Sequence, residues 1–279
     1  MHIGNIQDEL NNKVVIITGG NKGIGYGIAK AFCTYGARVT IAARDENTGN
    51  AVAEELTATT SGTCVFIKCD IADSNQVKLM IDDTVLRFGR LDCIVNNAGY
   101  FPRRCPIDEM SGEDMLQVMQ INLGGVFFCT KAALPYLRAS HGSIINISSV
   151  LGHSGQEGAA LYAASKAAII AFTKSIACDE ARNGVRVNVL NPGDIRSGIN
   201  DKEAGNADHK RKSNNSERIH LIERQGEPEE IGTACLFLAS SWASFMTGSE
   251  LSVDGGYFAG HGFKRQAFNW SDIMQIKDF

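Results

Sequence analysis

A doubly wound α/β fold, with one parallel sheet of about seven strands and helices on both faces, is what this 279-residue chain predicts. Three observations predict it. Short β-branched runs alternate with helix-length segments. Most of the runs are continuously apolar, as strands covered on both faces should be. No linker or composition break divides the series. The runs in order are KVVIIT (13–18), ARVTIAA (37–43), TCVFIKCD (63–70), LDCIVNN (91–97), GSIINIS (142–148), VRVNVLN (185–191) and SELSVD (249–254). The first run enters a glycine-rich turn and then the helical pattern GIGYGIAKAFCTYG. After the third comes DSNQVKLMIDDTVLRFG, a helix opened by Asp73 or Ser74 as its cap and closed at Gly89. Strand, helix, strand repeated in this way gives a parallel sheet. The chain reads as one domain over residues 1–279, with its core between about 11 and 256. Two stretches interrupt the rhythm. Residues 193–220 turn polar and charged just after a strand's carboxyl end, where an active-site lid would sit. The tail 257–279 is rich in Phe, Tyr and Trp, and its aromatics call for burial on this subunit or a neighbour.

Composition narrows the function classes. Hydrophobic content of 44% and charged content of 21% mark a globular chain. A formal charge of −4 gives no electrostatic reason to expect nucleic acid as a partner. No apolar run approaches the roughly 20 residues of a membrane span, and MHIGNIQDELNNK lacks the apolar stretch of a secretory signal. The expectation is therefore a cytoplasmic chain with no membrane span. The eight cysteines are scattered without a C-x-x-C pair and read as buried reduced thiols. The six histidines cluster nowhere, so no metal site is predicted. Ser154 is no hydrolase nucleophile, because GHSGQ lacks the second glycine of the G-x-S-x-G elbow.

The turn TGGNKGIG, Thr18 to Gly25, follows the first strand and opens a helix. Glycines at 19, 23 and 25 allow a tight turn and close backbone approach to a pyrophosphate, which the helix amino end attracts. Which dinucleotide binds depends on the end of the second strand, IAARDEN. An acid there would hold the ribose 2′-hydroxyl of NAD. Ala43 occupies that position, Arg44 follows it, and Lys22 points to the same side. Two cations favour a 2′-phosphate. Asp45, one or two positions along, is the competing acid. NADP(H) is expected, with NAD(H) as the alternative.

Several short motifs then align in order: TGGNKGIG, Cys69–Asp70, NNAG at Asn96–Gly99, Asn122 in QINLGG, Ser149 in ISSVLG, Tyr162 and Lys166 in YAASK, and NPG at Asn191–Gly193. Together, over about Asn11 to Gly256, they resemble the compact single-domain branch of the short-chain dehydrogenase/reductase family. FGRLDCIVNNAG, KAALPYLRASHGSIINISS and FLASSWASFMTGSEL look most like its hydroxysteroid dehydrogenase members. The resemblance implies Ser149, Tyr162, Lys166 and Asn122 as the catalytic group, with Asn122 holding a water that links Lys166 to solvent. It implies cofactor contacts from Gly19, Asn21, Lys22, Gly23, Ile24, Gly25, Arg44, Asp70, Ile71, Asn97, Ala98, Gly99, Pro192, Gly193, Ile195 and Ser197, besides Tyr162 and Lys166. Substrate contacts fall to Ser149, Tyr162, Gln156 and Tyr100. Ser148 competes with Ser149, but the family spacing of thirteen residues before the tyrosine selects Ser149. Asn96 is expected to tie strands together. A threonine is missing after NPG, which leaves Ser197 or the backbone of Ile195 to hold the nicotinamide carboxamide.

On a helix, Tyr162 and Lys166 share a face. A free phenol near pKa ~10 is a poor acid–base group at neutral pH, so the ammonium, with an oxidised nicotinamide, is expected to lower it. The function expected is an NADP(H)-dependent carbonyl reductase or alcohol dehydrogenase acting on an apolar, cyclic or steroid-like molecule. An NAD-dependent hydroxysteroid dehydrogenase is the alternative. A catalytically idle dinucleotide-binding regulator is the reading from another class, and four intact site residues argue against it. A homodimer or homotetramer is expected, with segments 110–138 and 160–181 as candidate interfaces.

Overall fold

The structure, a computed structural model, describes residues 5–196 and 220–260. Ser197, most of the expected lid and tail residues 261–279 lie outside the described residues. After a short helix α1 (Ile6–Leu10), the order is β1 (Val14–Thr18), α2 (Gly23–Thr34), β2 (Arg38–Ala43), α3 (Glu46–Thr59), β3 (Thr63–Lys68), α4 (Ser74–Phe88), β4 (Cys93–Asn96), α5 (Gly112–Met119), α6 (Gly125–Ser140), β5 (Ser143–Ile147), α7 (Ala160–Glu180), β6 (Arg186–Pro192), α8 (Pro228–Ala239) and β7 (Glu250–Val253). The seven strands form one parallel sheet in the order β3-β2-β1-β4-β5-β6-β7.

Both faces are covered, as the continuous apolar runs require. Along β1, Val15 and Ile17 face one layer with α2, α3 and α8, whereas Val14 and Ile16 face the other with α4 and α6. Helix α4 runs as its sequence dictates: the Asp73 carboxylate accepts from the N–H groups of Asn75 and Gln76, and Gly89 closes it in the left-handed region at φ 81°. Strand β4 starts two residues later than the apolar run, because Asp92 is drawn off to Val14 N, Lys13 and Arg90.

Helix α2, which carries the glycine turn, packs most extensively on α8. Two glycines allow it. A Cβ on Gly27 would stand 2.4 Å from the Pro228 carbonyl carbon, and one on Gly232 would stand 2.7 Å from Gly27 O. The two helices therefore touch backbone to backbone.

One sequence expectation needs correction. The α7 segment with its following turn, Ala160–Asn183, is long and apolar enough by length and composition to cross a membrane. In the fold its inner face, Ile169, Ile170, Thr173 and Ala177, is buried. The window averages over the two faces of one core helix.

A Gly27→Ala substitution forces the α2–α8 backbones apart and is expected to destabilise the chain by about 1–3 kcal/mol, read as a lowered urea midpoint at constant slope.

Candidate active site

The expected residues converge at the carboxyl ends of β1, β4, β5 and β6. Thr18, buried at the end of β1, binds the segment after β4: its Oγ1 accepts from Asn97 N and Ala98 N, each at 3.0 Å. Gly19 follows at φ 65°, and Gly25 lies so close beneath it that a Cβ there would stand 2.1 Å from Gly19 O. Helix α2 begins at Lys22 with no side-chain cap, as α7 does at Ala159, whereas α1, α3, α4 and α5 each begin on a capping side chain. An uncapped amino end behind a glycine turn fits the pyrophosphate of a dinucleotide. Asn21 turns from this loop to the Thr48 hydroxyl at 2.7 Å. Lys22 and Arg44 are exposed on the same rim. Asp45 spends its carboxylate on the amino end of α3, accepting from Asn47 N at 3.1 Å and Thr48 N at 3.2 Å.

Ser149 leaves β5 and caps the next turn, accepting from Leu151 N at 3.1 Å. Its neighbour Ser148 is instead engaged by α7, donating to Lys166 O at 2.8 Å. Lys166 is 4% exposed; its Nζ donates to Ile147 O at 2.8 Å and stands 5.6 Å from the centre of the Tyr162 ring. Burial lowers this ammonium to about 8. Phe101 lies against Tyr162 with ring centres 4.6 Å apart, and the Arg104 guanidinium lies 5.3 Å over Phe101.

The lowering of Tyr162 was expected with an oxidised nicotinamide beside it; in the protein alone the phenol stands higher. Burial pushes the phenol up to about 12, and the hydrogen bond with Ser149 pulls only partly back. Desolvation of the phenolate is the largest influence on this group. The phenol is thus a neutral donor at pH 7, suited to giving a proton.

Asn122 is fully buried. It lies in a π-helical turn, Gln120–Gly124, that joins α5 to α6. Its Nδ2 donates to Tyr100 O at 3.0 Å and Ser165 Oγ at 2.9 Å, and its Oδ1 accepts from Tyr100 N at 2.7 Å. The side chain clamps the Tyr100 backbone and the Ser165 hydroxyl. Asn97 is similarly engaged, donating to Thr18 O at 2.9 Å. Asn96 does tie strands, donating to Asn146 Oδ1 at 2.8 Å. The Asp70 carboxylate accepts from Ala72 N at 3.0 Å. Ile71 is packed beneath Gly125, and Ala98 and Gly99 continue the β4 exit, with Gly99 set between Asn122 and Lys166. Pro192 ends β6, and Ile195 is buried beside a one-residue bridge to Gly226. Gln156 is exposed on the loop before α7. Tyr257 and Phe258, the described start of the tail, pack with His220 and His153.

Four contributors were not anticipated. Thr18 and Ser165 stand inside the quoted motifs, so a hydroxyl count there would have flagged them. Phe101 and His220 carry no local signal. His220 is buried against Gly193; it accepts from Asp194 N at 3.1 Å through Nε2 and donates from Nδ1 to Asp254 O at 2.6 Å, fixing the exit of β6. Among the described residues no group of His, Cys, Asp and Glu could hold a metal.

Comparison with known proteins agrees with this geometry. A family profile described as enoyl-(acyl carrier protein) reductase matches residues 19–258. The chain is 44% identical over 253 residues to an L-fucose dehydrogenase of Bos taurus, covering 90% of this chain and 92% of that protein. It is 42% identical over 267 residues to an L-fucose dehydrogenase of Mus musculus, covering 95% and 96%. It is 38% identical over 248 residues to a 3-oxoacyl-(acyl-carrier-protein) reductase of Chlamydia muridarum, covering 88% and 98%.

Lys166 has a measurable signature. Its buried ammonium titrates at about 8, against an ordinary 10.5, so the folded chain binds fewer protons than the unfolded chain between those values and stability rises with pH there. Tyr162, raised above 10, acts in the opposite sense only at higher pH. Between pH 7 and 10 the wild type is expected to gain on the order of 1–3 kcal/mol relative to Lys166→Met, read from urea unfolding at each pH.

Proposed function

The chain belongs to the short-chain dehydrogenase/reductase family, and on that premise we propose that it interconverts a carbonyl and a secondary alcohol with NADP(H), using Ser149, Tyr162 and Lys166. The observation that carries this reading is one arrangement: the buried Lys166 ammonium stands 5.6 Å from the centre of the Tyr162 ring, and the Ser149 hydroxyl lies near enough to pull that phenol's pKa down. A nicotinamide dinucleotide, when bound, supplies or accepts the hydride. In the reducing direction Ser149 orients the substrate oxygen by hydrogen bonding, and Tyr162 gives it a proton. A phenol held neutral at pH 7 is already in the donating form. In the oxidising direction the phenol first has to lose its proton, and the Lys166 charge favours the phenolate that results. Asn122 keeps Tyr100 and Ser165 in place and so sets the wall and the helix turn around Tyr162.

For the 2′-phosphate, the support is the exposed pair Arg44 and Lys22, together with Asp45 being engaged at the α3 cap. Gly19, Gly23, Ile24 and Gly25 would hold the pyrophosphate on the α2 amino end, and the segment from Pro192 to Ile195 would face the nicotinamide.

The substrate has two readings. The sequence likeness to 17β-hydroxysteroid dehydrogenase type 14 and the ring of Phe101 against Tyr162 favour a cyclic apolar molecule, which with NAD would make a hydroxysteroid dehydrogenase. The names of the most similar relatives favour a sugar such as L-fucose, whose C–H faces also stack on an aromatic ring. We further propose a cytoplasmic homo-oligomer: Met115, Leu116 and Phe127, exposed on α5 and α6, are apolar surface that a second copy would cover. Tight NADPH binding with no turnover of any substrate would instead favour the idle regulator.

Absorbance of NADPH and NADH followed against L-fucose, other sugars, cyclic ketones and steroids separates these readings. Tyr162→Phe is expected to lower kcat by about 10²–10⁴-fold while NADPH affinity stays within about twofold. Arg44→Asp is expected to move the NADPH-to-NADH ratio of kcat/KM toward NADH by about tenfold or more. A wild-type ratio already strongly in favour of NADH would overturn the cofactor assignment.

A further inference from the structure

Glu250 opens β7, an edge strand, within FLASSWASFMTGSEL, and is not among the site residues expected above. Its carboxylate nevertheless meets three side chains, each from a different site-bearing element. His153 Nε2 reaches Oε2 from the turn that begins at Ser149. Lys174 Nζ meets Oε1 at 2.6 Å from α7, the helix of Tyr162 and Lys166. Asn191 Nδ2 donates to Oε2 at 3.4 Å from the NPG segment of β6. Register explains how this is reached: Glu250 pairs with Val189, so its side chain lies on the same face of the sheet as Asn191, beneath α7. The Ser149 loop is held at a second point close by, where Ser154 Oγ and Tyr257 OH lie 3.3 Å apart. Burial pushes the Glu250 carboxyl upward, and its hydrogen bonds from Lys174 and His153 outweigh this and hold it below the usual range.

We propose that Glu250 is a positioning residue: through His153 it holds the Ser149 loop in register with Tyr162 on α7. The proposal rests on the reading of Ser149 and Tyr162 as the proton-transfer pair. The opposing view is an edge-strand ion pair of no functional consequence. His153 and Lys174 are 41% and 56% exposed, so these contacts add little to global stability. That is an advantage for the test, because a positioning effect then appears in turnover without a matching loss of fold.

The full chain is compared with Glu250→Gln, His153→Ala, the double variant and Tyr162→Phe, using whichever panel substrate is turned over. Glu250→Gln and His153→Ala are each expected to lower kcat about tenfold. KM for NADPH should stay within about twofold and Tm within about 2 °C. The double variant should lose no more than either single one, since both cut the same link. Glu250→Asp is expected to restore part of the rate. A second measurement needs no substrate. Amides 151–154, bonded to Ser149 and Val150, are expected to exchange at least about fivefold faster in Glu250→Gln, with α7 unchanged. Unchanged kcat, losses that multiply in the double variant, or unchanged exchange at 151–154 overturns the proposal. If Tyr162→Phe also retains full turnover, the proton-transfer reading falls too; if it alone is inactive, only the role of Glu250 falls.

Discussion

An ammonium buried without a carboxylate is the constraint around which this molecule is organised. Among the described residues the Lys166 ammonium hydrogen-bonds only to a backbone carbonyl, that of Ile147 at the end of β5. Burying such a charge is unfavourable unless strong partners surround it. The fold holds it there by locking the helix that carries it. Ser148 donates to Lys166's own carbonyl. Along the same helix Thr173 receives a hydrogen bond from Asn146, which in turn accepts one from Asn96. Polar bonds through the sheet thus run from β4 through β5 into α7. The lysine is kept where its charge is least comfortable, beside the phenol and the mouth of the glycine turn.

This also explains why the neighbouring elements are so closely specified. Asn122, in the π-helical turn, fixes Tyr100 and Ser165 together, so the exit of β4 and the first turns of α7 cannot drift apart. Thr18 does the same between the glycine turn and Asn97–Ala98. Polar side chains in this site are spent mainly on each other and on backbone. Ser149, Tyr162, Lys22 and Arg44 are the groups to which the proposed chemistry is assigned.

Much of this could be read from the chain. The strands were legible because burial on both faces writes an uninterrupted apolar run, and α4 because Asp73 and Gly89 punctuate it. Ser149, Tyr162, Lys166 and the glycine turn were legible because their spacing is local. What sequence could not show was solvent. Four-residue spacing put a cation beside Tyr162, but only the fold reveals how far burial raises the phenol and lowers the ammonium. Nor could sequence show how side chains are shared: the clamps made by Asn122 and Asn97 depend on partners 22 and 79 positions away. His220 and Glu250 reach the site from the last quarter of the chain, with no local pattern to announce them. The family was legible from ordered motifs; the branch within it was not, because residues that flank Tyr162, such as Phe101, stand in irregular segments.

The contact of Gly27 with Pro228 has a consequence for how the protein is made. The phosphate turn is encoded among the first 25 residues, and β1, β2 and β4 emerge early from the ribosome. The helix that sets the direction of α2 comes some two hundred residues later. A nascent chain can therefore fold its amino-terminal strands long before it owns a finished dinucleotide cradle. Nucleotide capture belongs to the released protein, and a chain truncated before α8 would carry the glycine motif without the support that aims it.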